Sequence, residues 1–174
     1  MARIPYAQPD TPERQAIAER IIRERGSLLH LYKMLLNSAP IAEGWLTYLT
    51  AVRQKCKLKG DIREMVIMRV AFVNGASYEA DQHAPIALRE GLTQAQVDAL
   101  HDWETADCFT DLQRAVLAYC DTMTRAIQVP DAIYDEVARY FDAEQMVELT
   151  ATIAAYNMVS RFLEALQVHS HDRH

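Results

Sequence analysis

The sequence predicts an all-α, single-domain helical bundle, and three observations carry that prediction. Helix start and stop signals recur from end to end, no segment reads as a convincing strand, and five glycines and six prolines leave little material for hairpin turns. Half of the 174 residues are hydrophobic, enough to close one core and too many for a disordered chain.

The elements follow in order. Thr11-Pro12-Glu13 supplies an N-cap, a proline for the first helical position and an acidic first turn, and Gly26 stops the segment carrying Ile17, Ile21 and Ile22. A second apolar run from Leu28 to Leu36 ends at Asn37-Ser38-Ala39-Pro40. Pro40 then opens a helix on which Trp45, Leu46, Leu49 and Val52 share a face. Lys57-Leu58-Lys59-Gly60 breaks the chain before Asp61-Ile62-Arg63-Glu64, which has the form of a capping box and precedes the apolar run Met65 to Val73. Asn74-Gly75 ends that helix. Ser77 caps the next, which runs through His83 toward Gly91 and is expected to bend or split at Pro85. Thr93-x-x-Gln96, Thr110-x-x-Gln113 and Asp142-x-x-Gln145 are three further capping boxes. Pro130-Asp131 starts a short helix ending near Phe141. Residues 11–168 are read as the helical domain. Residues 1–10 and the His-rich tail 169–174 are read as loosely held ends, the three tail histidines being a solvated terminus before they are a weak metal site.

Charge and hydropathy exclude several classes. With 18 basic and 24 acidic side chains the formal net charge is −6, and no long basic block offers a face to phosphates, so nucleic acid is not an expected partner. The uncharged stretch Leu149 to Ser160 is well short of the roughly 20 apolar residues that a membrane-spanning helix needs. No membrane partner is expected. The N-terminus lacks an apolar signal core, and three dispersed cysteines (Cys56, Cys108, Cys120) suit reduced thiols in a cytoplasmic protein. No glycine-rich phosphate loop, serine nucleophile elbow or cysteine-rich zinc pattern is present, and no cofactor is expected.

The stretch from Glu64 to His83 carries the chemistry. Here Arg63-Glu64-x-x-Ile67-x-Arg69-x-Ala71, then Tyr78-Glu79 and His83-Ala84-Pro85-Ile86-Ala87, resembles the carboxymuconolactone decarboxylase-like superfamily, which includes alkylhydroperoxidase D. Asn37-Ser38-Ala39-Pro40 and Ala155-Tyr156-Asn157-Met158-Val159-Ser160-Arg161-Phe162 extend the resemblance over roughly residues 28 to 167. Peroxidase members of that group look like Glu, eleven residues, Cys-x-x-Cys, three residues, His. Glu64 and His83 match the ends of the pattern, while Ala76 and Glu79 stand at the two cysteine positions, so the chain resembles the cysteine-free branch. Thiol peroxidases need an attacking thiolate and a second thiol beside it, and neither alanine nor glutamate replaces them.

The resemblance implies a helical bundle of the alkylhydroperoxidase D type. It also implies a homo-oligomer of three or six subunits and a cofactor-free decarboxylase-like enzyme acting on a small acidic molecule, a carboxylated lactone or keto acid of aromatic catabolism. Losing CO₂ leaves a carbanion or enolate that a tuned acid must protonate. The candidate catalytic residues are His83 as acid or base, Glu64 to orient or reprotonate it, and Glu79 to hold the imidazolium form. Tyr78, Arg69, Tyr156 and Asn157 are candidates to orient a substrate carboxylate. Each has a plainer reading beside it. Glu64 closes a capping box with Asp61, His83 fills an amphipathic helix face, and the other four pack or satisfy helix ends. Because the glycine turn folds one helix back on the next, Glu64 and His83 are not required to meet within the pair, and a third element or another subunit can equally unite them. Glu64, Glu79 and His83 also suit a divalent ion by ligand type, although no metal is assigned. Two further readings stay open, a non-catalytic helical oligomer and, last, a peroxidase using the remaining cysteines.

Overall fold

The computed structural model describes residues 1–172; Arg173 and His174, the end of the expected tail, lie outside the described residues. The described residues form helices and turns with no strand. The helices are α1 (Pro12–Arg25), α2 (His30–Leu35), α3 (Ala39–Thr50, continued by a π turn over Ala51–Lys55) and α4 (Gly60–Asn74). They continue with α5 (Ser77–Arg89), α6 (Gln94–Ala99, continued by a 3₁₀ segment over Leu100–Thr105), α7 (Asp111–Ala126), α8 (Asp131–Ala138) and α9 (Ala143–Leu166). Within the domain the chain forms two compact units, one of Met1–Lys55 with the segment from Leu163 onward, the other of Cys56–Phe162.

Local signals place most boundaries. Thr11 Oγ1 accepts the Arg14 amide, and Gly26 ends α1 at φ 84°, a conformation glycine adopts without a Cβ penalty. Thr93 with Gln96, Thr110 with Gln113, and Asp142 with Gln145 each exchange the two hydrogen bonds of a capping box. Three expectations need correction. The box at Asp61 does not form, because α4 already starts at Gly60 and Asp61 lies within the first turn, its carboxylate accepting the Ile62 amide at 2.9 Å. Ser77 is the first helical residue of α5 rather than its cap. Pro85 neither splits α5 nor ends it; it has no N–H to give to Asp81 one turn back, and both residues lie on the exposed face of the helix.

In the first unit α1 and α2 pack on α3. Glu24 of α1 accepts the Thr50 hydroxyl at 2.7 Å and the Arg20 guanidinium at 2.8 Å, and these bonds hold its carboxyl below the usual range. The N-terminal segment that was expected to be loose is hydrogen-bonded here: Ala7 N–H to the Lys33 carbonyl at 3.1 Å, Arg3 N–H to the Leu166 carbonyl at 2.9 Å, and the Tyr6 hydroxyl to Asp172 at 2.6 Å.

In the second unit α5 and α7 both pack on α4, and α8 packs on α7. The α4 sequence explains its place. Arg69 apart, it is apolar from Met65 to Ala71, with each residue from Glu64 to Ala71 buried, and a helix of that kind can only be central. Two charged residues go into the core with it. Arg69 donates to both carboxylate oxygens of Asp121 on α7 at 2.6 Å and to the carbonyls of Leu100 and His101 at 2.7 and 2.8 Å. The Trp103 indole N–H adds a third donor to Asp121 at 3.3 Å. This bidentate pair ties α4, α7 and the 3₁₀ segment together.

At the end of α7 the backbone turns without a glycine. Ile127 has φ 66° and ψ −56°, and the Gln128 amide reaches back to the Ala126 carbonyl at 2.7 Å, a γ-turn of the rare hand around a β-branched residue that is 84% exposed. Ile127→Gly is expected to stabilise the protein by about 1 kcal/mol by relieving that backbone, seen as a higher urea midpoint with an unchanged slope; a lower midpoint would mean the turn carries no strain.

Candidate active site

The site is assembled by the α4–α5 pair with α9. Glu64 stands in the second turn of α4, is 0% exposed, and places Oε2 2.6 Å from Nδ1 of His83 in the middle of α5. No third element or second subunit is required to bring them together: the turn at Gly75, with φ 69°, folds α5 directly along α4, and the two side chains span the remaining gap. Glu64 is therefore not a helix cap. Its second oxygen, Oε1, accepts from Arg63 Nε at 3.1 Å, and Arg63 reaches on to Glu90 at 3.2 Å.

The electrostatics of the pair follow from this arrangement. A carboxylate buried without partners would be strongly disfavoured, but a guanidinium on one oxygen and an imidazole on the other favour its charged form. A charged Glu64 accepts, so Nδ1 carries the hydrogen and the imidazole tautomer is fixed. The proton to be exchanged with any substrate is then the one at Nε2. Tyr156 of α9 sets its ring edge-on to His83, with centroids 5.1 Å apart and an interplanar angle of 89°.

Glu79 lies one helical turn before His83 on α5 and is 2% exposed, with Oε2 3.1 Å from the Ser160 hydroxyl of α9. Tyr78 is buried in the first turn of α5. The other two candidates are engaged elsewhere. Arg69 spends its guanidinium on Asp121 and two backbone carbonyls. Asn157 bonds Thr124, the Ile153 carbonyl, Asn74 and Arg161, none of them a member of the Glu64–His83 pair. Among the described residues no three His, Cys, Asp or Glu side chains gather as a metal site.

Two residues of the cluster escape a sequence reading. Arg63 adjoins Glu64 in the motif, yet only the fold shows its guanidinium on the carboxylate. Ser160 follows Tyr156 by one helical turn, a spacing that places both on one side of α9, and that spacing is the signal that would have found it. Two of the three cysteines are held away from the thiolate form. All three are free thiols, and burial with the adjacent Asp121 charge pushes the Cys120 thiol far up, away from the thiolate that would have to attack. Burial and Glu148 push Cys56 the same way.

Residues 39–122 match the model of the carboxymuconolactone decarboxylase family. The chain is 30% identical over 106 residues to the uncharacterized protein YdfG of Bacillus subtilis (strain 168), covering 60% of this chain and 72% of that protein. It is 29% identical over 127 residues to the uncharacterized protein YnjA of Escherichia coli (strain K12), covering 72% of this chain and 66% of the other. In fold it is similar to the AhpD core of a peroxidase-related protein from Ralstonia eutropha JMP134, with a TM-score of 0.83 at 19% identity over 98% of this chain and 93% of that one. It is also similar to a cysteine-to-alanine variant of the debrominase Bmp8 in complex with 2,3,4-tribromopyrrole, with a TM-score of 0.80 at 19% identity over 96% and 92%.

If Glu64 and His83 act as one buried unit, they should couple. Glu64→Ala and His83→Ala are each expected to cost about 3–5 kcal/mol, and the double variant should cost less than their sum by about 0.5–3 kcal/mol. Urea unfolding measures all four proteins, and strict additivity would reduce the pair to independent packing.

Proposed function

Since the chain belongs to the carboxymuconolactone decarboxylase family and has the AhpD-like all-α fold, we propose that it is a cofactor-free acid–base enzyme that decarboxylates a small acidic organic molecule, a carboxylated lactone or β-keto acid. The observation that carries this reading is the 2.6 Å contact between His83 Nδ1 and the fully buried Glu64. A carboxylate that fixes an imidazole tautomer and favours its protonated form is the usual way to make a histidine a competent proton carrier near neutral pH.

The mechanism uses these residues alone. Departure of CO₂ leaves an electron pair on the substrate carbon, delocalised as an enolate, and His83 supplies or removes the proton through Nε2. Glu64 stabilises the imidazolium while Arg63 keeps Glu64 ionised. The apolar surroundings contributed by α4 and the Tyr156 ring disfavour the substrate carboxylate relative to neutral CO₂. Tyr78 and Tyr156 are the candidates to orient the substrate; Arg69 and Asn157 are withdrawn from that role, their polar groups being bound elsewhere.

A homo-oligomer of three or six cytoplasmic subunits completes the proposal. On α9, Val147, Ala154 and Met158 follow one another at helical spacing and are exposed, Val147 to 68%, and such a stripe on a soluble helix is the kind of surface that subunit contacts cover. None of the described helices is long and apolar enough to cross a membrane.

Two measurements test the proposal. A panel of carboxylated lactones and β-keto acids should yield CO₂ release that His83→Gln cuts by on the order of 10² or more. Glu64→Gln should lose a similar amount, the double variant little beyond either, and no dithiol-dependent peroxide turnover should accompany the activity. Full turnover by His83→Gln would end the acid–base reading. Light scattering should give a multiple of the 19.8 kDa chain mass that Val147→Glu with Met158→Glu reduces; a wild-type monomer at micromolar concentration would end the oligomer reading.

A further inference from the structure

Glu90 is the C-cap of α5, where a negative charge meets the negative end of its own helix dipole. Its side chain turns instead onto the start of α4, which lies alongside because α5 folds back along α4. Oε1 stands 3.2 Å from Nη2 of Arg63. The rest of the carboxylate fills the space beside Gly60: a Cβ built on that glycine would overlap Glu90 Oε2 and stand 2.6 Å from its Cδ and 3.2 Å from its Cβ. Gly60 is the first residue of α4 and has no positive φ, so its backbone does not require glycine. What the missing side chain provides is a seat for Glu90, at a helix end where a carboxylate is favoured.

Arg63 needs such a hold. Successive residues of a helix project about 100° apart, so Arg63 and Glu64 do not face each other by default. Even so, Arg63 Nε lies 3.1 Å from Glu64 Oε1 while Nη2 of the same guanidinium reaches Glu90. The Glu90, Arg63 and Glu64 side chains are 40%, 13% and 0% exposed, so a row of alternating charge runs inward from the surface. It ends at the 2.6 Å contact between Glu64 and His83 Nδ1. Cys56 and Glu148 are further titratable groups near Arg63: burial and Glu148 push the Cys56 thiol up, and the Arg63 charge opposes them.

We propose that Glu90, seated over Gly60, is a positioning residue that holds the Arg63 guanidinium on Glu64 and through it keeps the Glu64–His83 pair in its charge-separated form. This rests on the acid–base reading of that pair. Once the pair has gained a proton, two arrangements compete. In one, both ring nitrogens of His83 are protonated against a Glu64 carboxylate; in the other, a neutral Glu64 donates to an unprotonated Nδ1. A guanidinium on Glu64 favours the first, because it stabilises the carboxylate. When the guanidinium swings away the second gains, and the imidazolium that gives up a proton at Nε2 is depleted.

Nitrogen NMR tests this without any substrate, so its failure is distinct from a failure to find CO₂ release. In the wild type the Arg63 Nε–H should exchange with water more slowly than that of Arg139, whose side chain is 71% exposed. His83 Nδ1 should keep the shift of a protonated ring nitrogen at both about pH 5 and about pH 8, on either side of the ordinary histidine range. Glu90→Ala should speed the Arg63 exchange about fivefold, the upper range for a part-exposed ion pair. It should also move Nδ1 at about pH 5 toward the unprotonated position. Gly60→Ala, which leaves every charge in the chain unchanged, should do the same by unseating Glu90, and the double variant should add little to either. A wild-type Arg63 Nε–H as labile as that of Arg139, an exchange rate that Glu90→Ala leaves unchanged, or faster exchange with Nδ1 unmoved would each overturn the proposal. So would a Gly60→Ala protein that matches wild type in both signals, or effects of the two substitutions that simply add. Should Gly60→Ala not fold, Glu90→Ala decides alone.

Discussion

The rest of this structure depends on one requirement: a carboxylate on a helix with no exposed side must find partners inside the protein. Glu64 sits on such a helix. Its two oxygens are occupied by Arg63 from its own helix and His83 from the next, at 3.1 and 2.6 Å. That second contact sets how α5 lies against α4, because an imidazole ring reaches only so far, and a shift by a helical turn would leave the charge unpaired at a cost of several kcal/mol. Packing of the apolar face and pairing of the charge thus select the same register.

A second buried charge on the same helix shows the contrast between a structural and a chemical ion pair. Arg69 is held bidentately by Asp121 and by two backbone carbonyls, so its donors are committed and its guanidinium is rigid. Glu64 is held by a group that can itself gain and lose a proton. The first arrangement fixes elements relative to one another, and the second leaves a site able to move a proton while both are buried at comparable depth. Burial alone does not separate the two, but the chemistry of the partner does.

The lack of a Cys-x-x-Cys pair in this chain has a similar logic. In place of the two thiols of the peroxidase pattern stand Ala76, which is buried and inert, and Glu79, which is buried against Ser160. The remaining thiols are dispersed, and Cys120 is sealed beneath the surface with its thiol pushed up by burial. The helix pair that matches the peroxidase pattern at Glu64 and His83 therefore carries carboxyl and imidazole groups and no paired thiols.

How much of this was legible depended on how local each feature is. The three working capping boxes, the stops at Gly26 and Gly75 and the all-α class are contacts or conformations within a few residues, and the sequence by itself determined them. The pattern from Glu64 to His83 also marked two side chains that meet in the fold. At the start of α4 the reading failed by two residues: the N-cap is Lys59 rather than Asp61, which moves Asp61 into the helix and turns a capping glutamate into a buried one. Tertiary structure alone decided the partners. Asp121 meets Arg69 across 52 residues of chain, and Ser160 meets Glu79 across 81. Such pairs leave no periodic trace in the sequence, because their geometry comes from how α4, α5, α7 and α9 pack, and packing responds to the summed shape of many side chains rather than to any short motif.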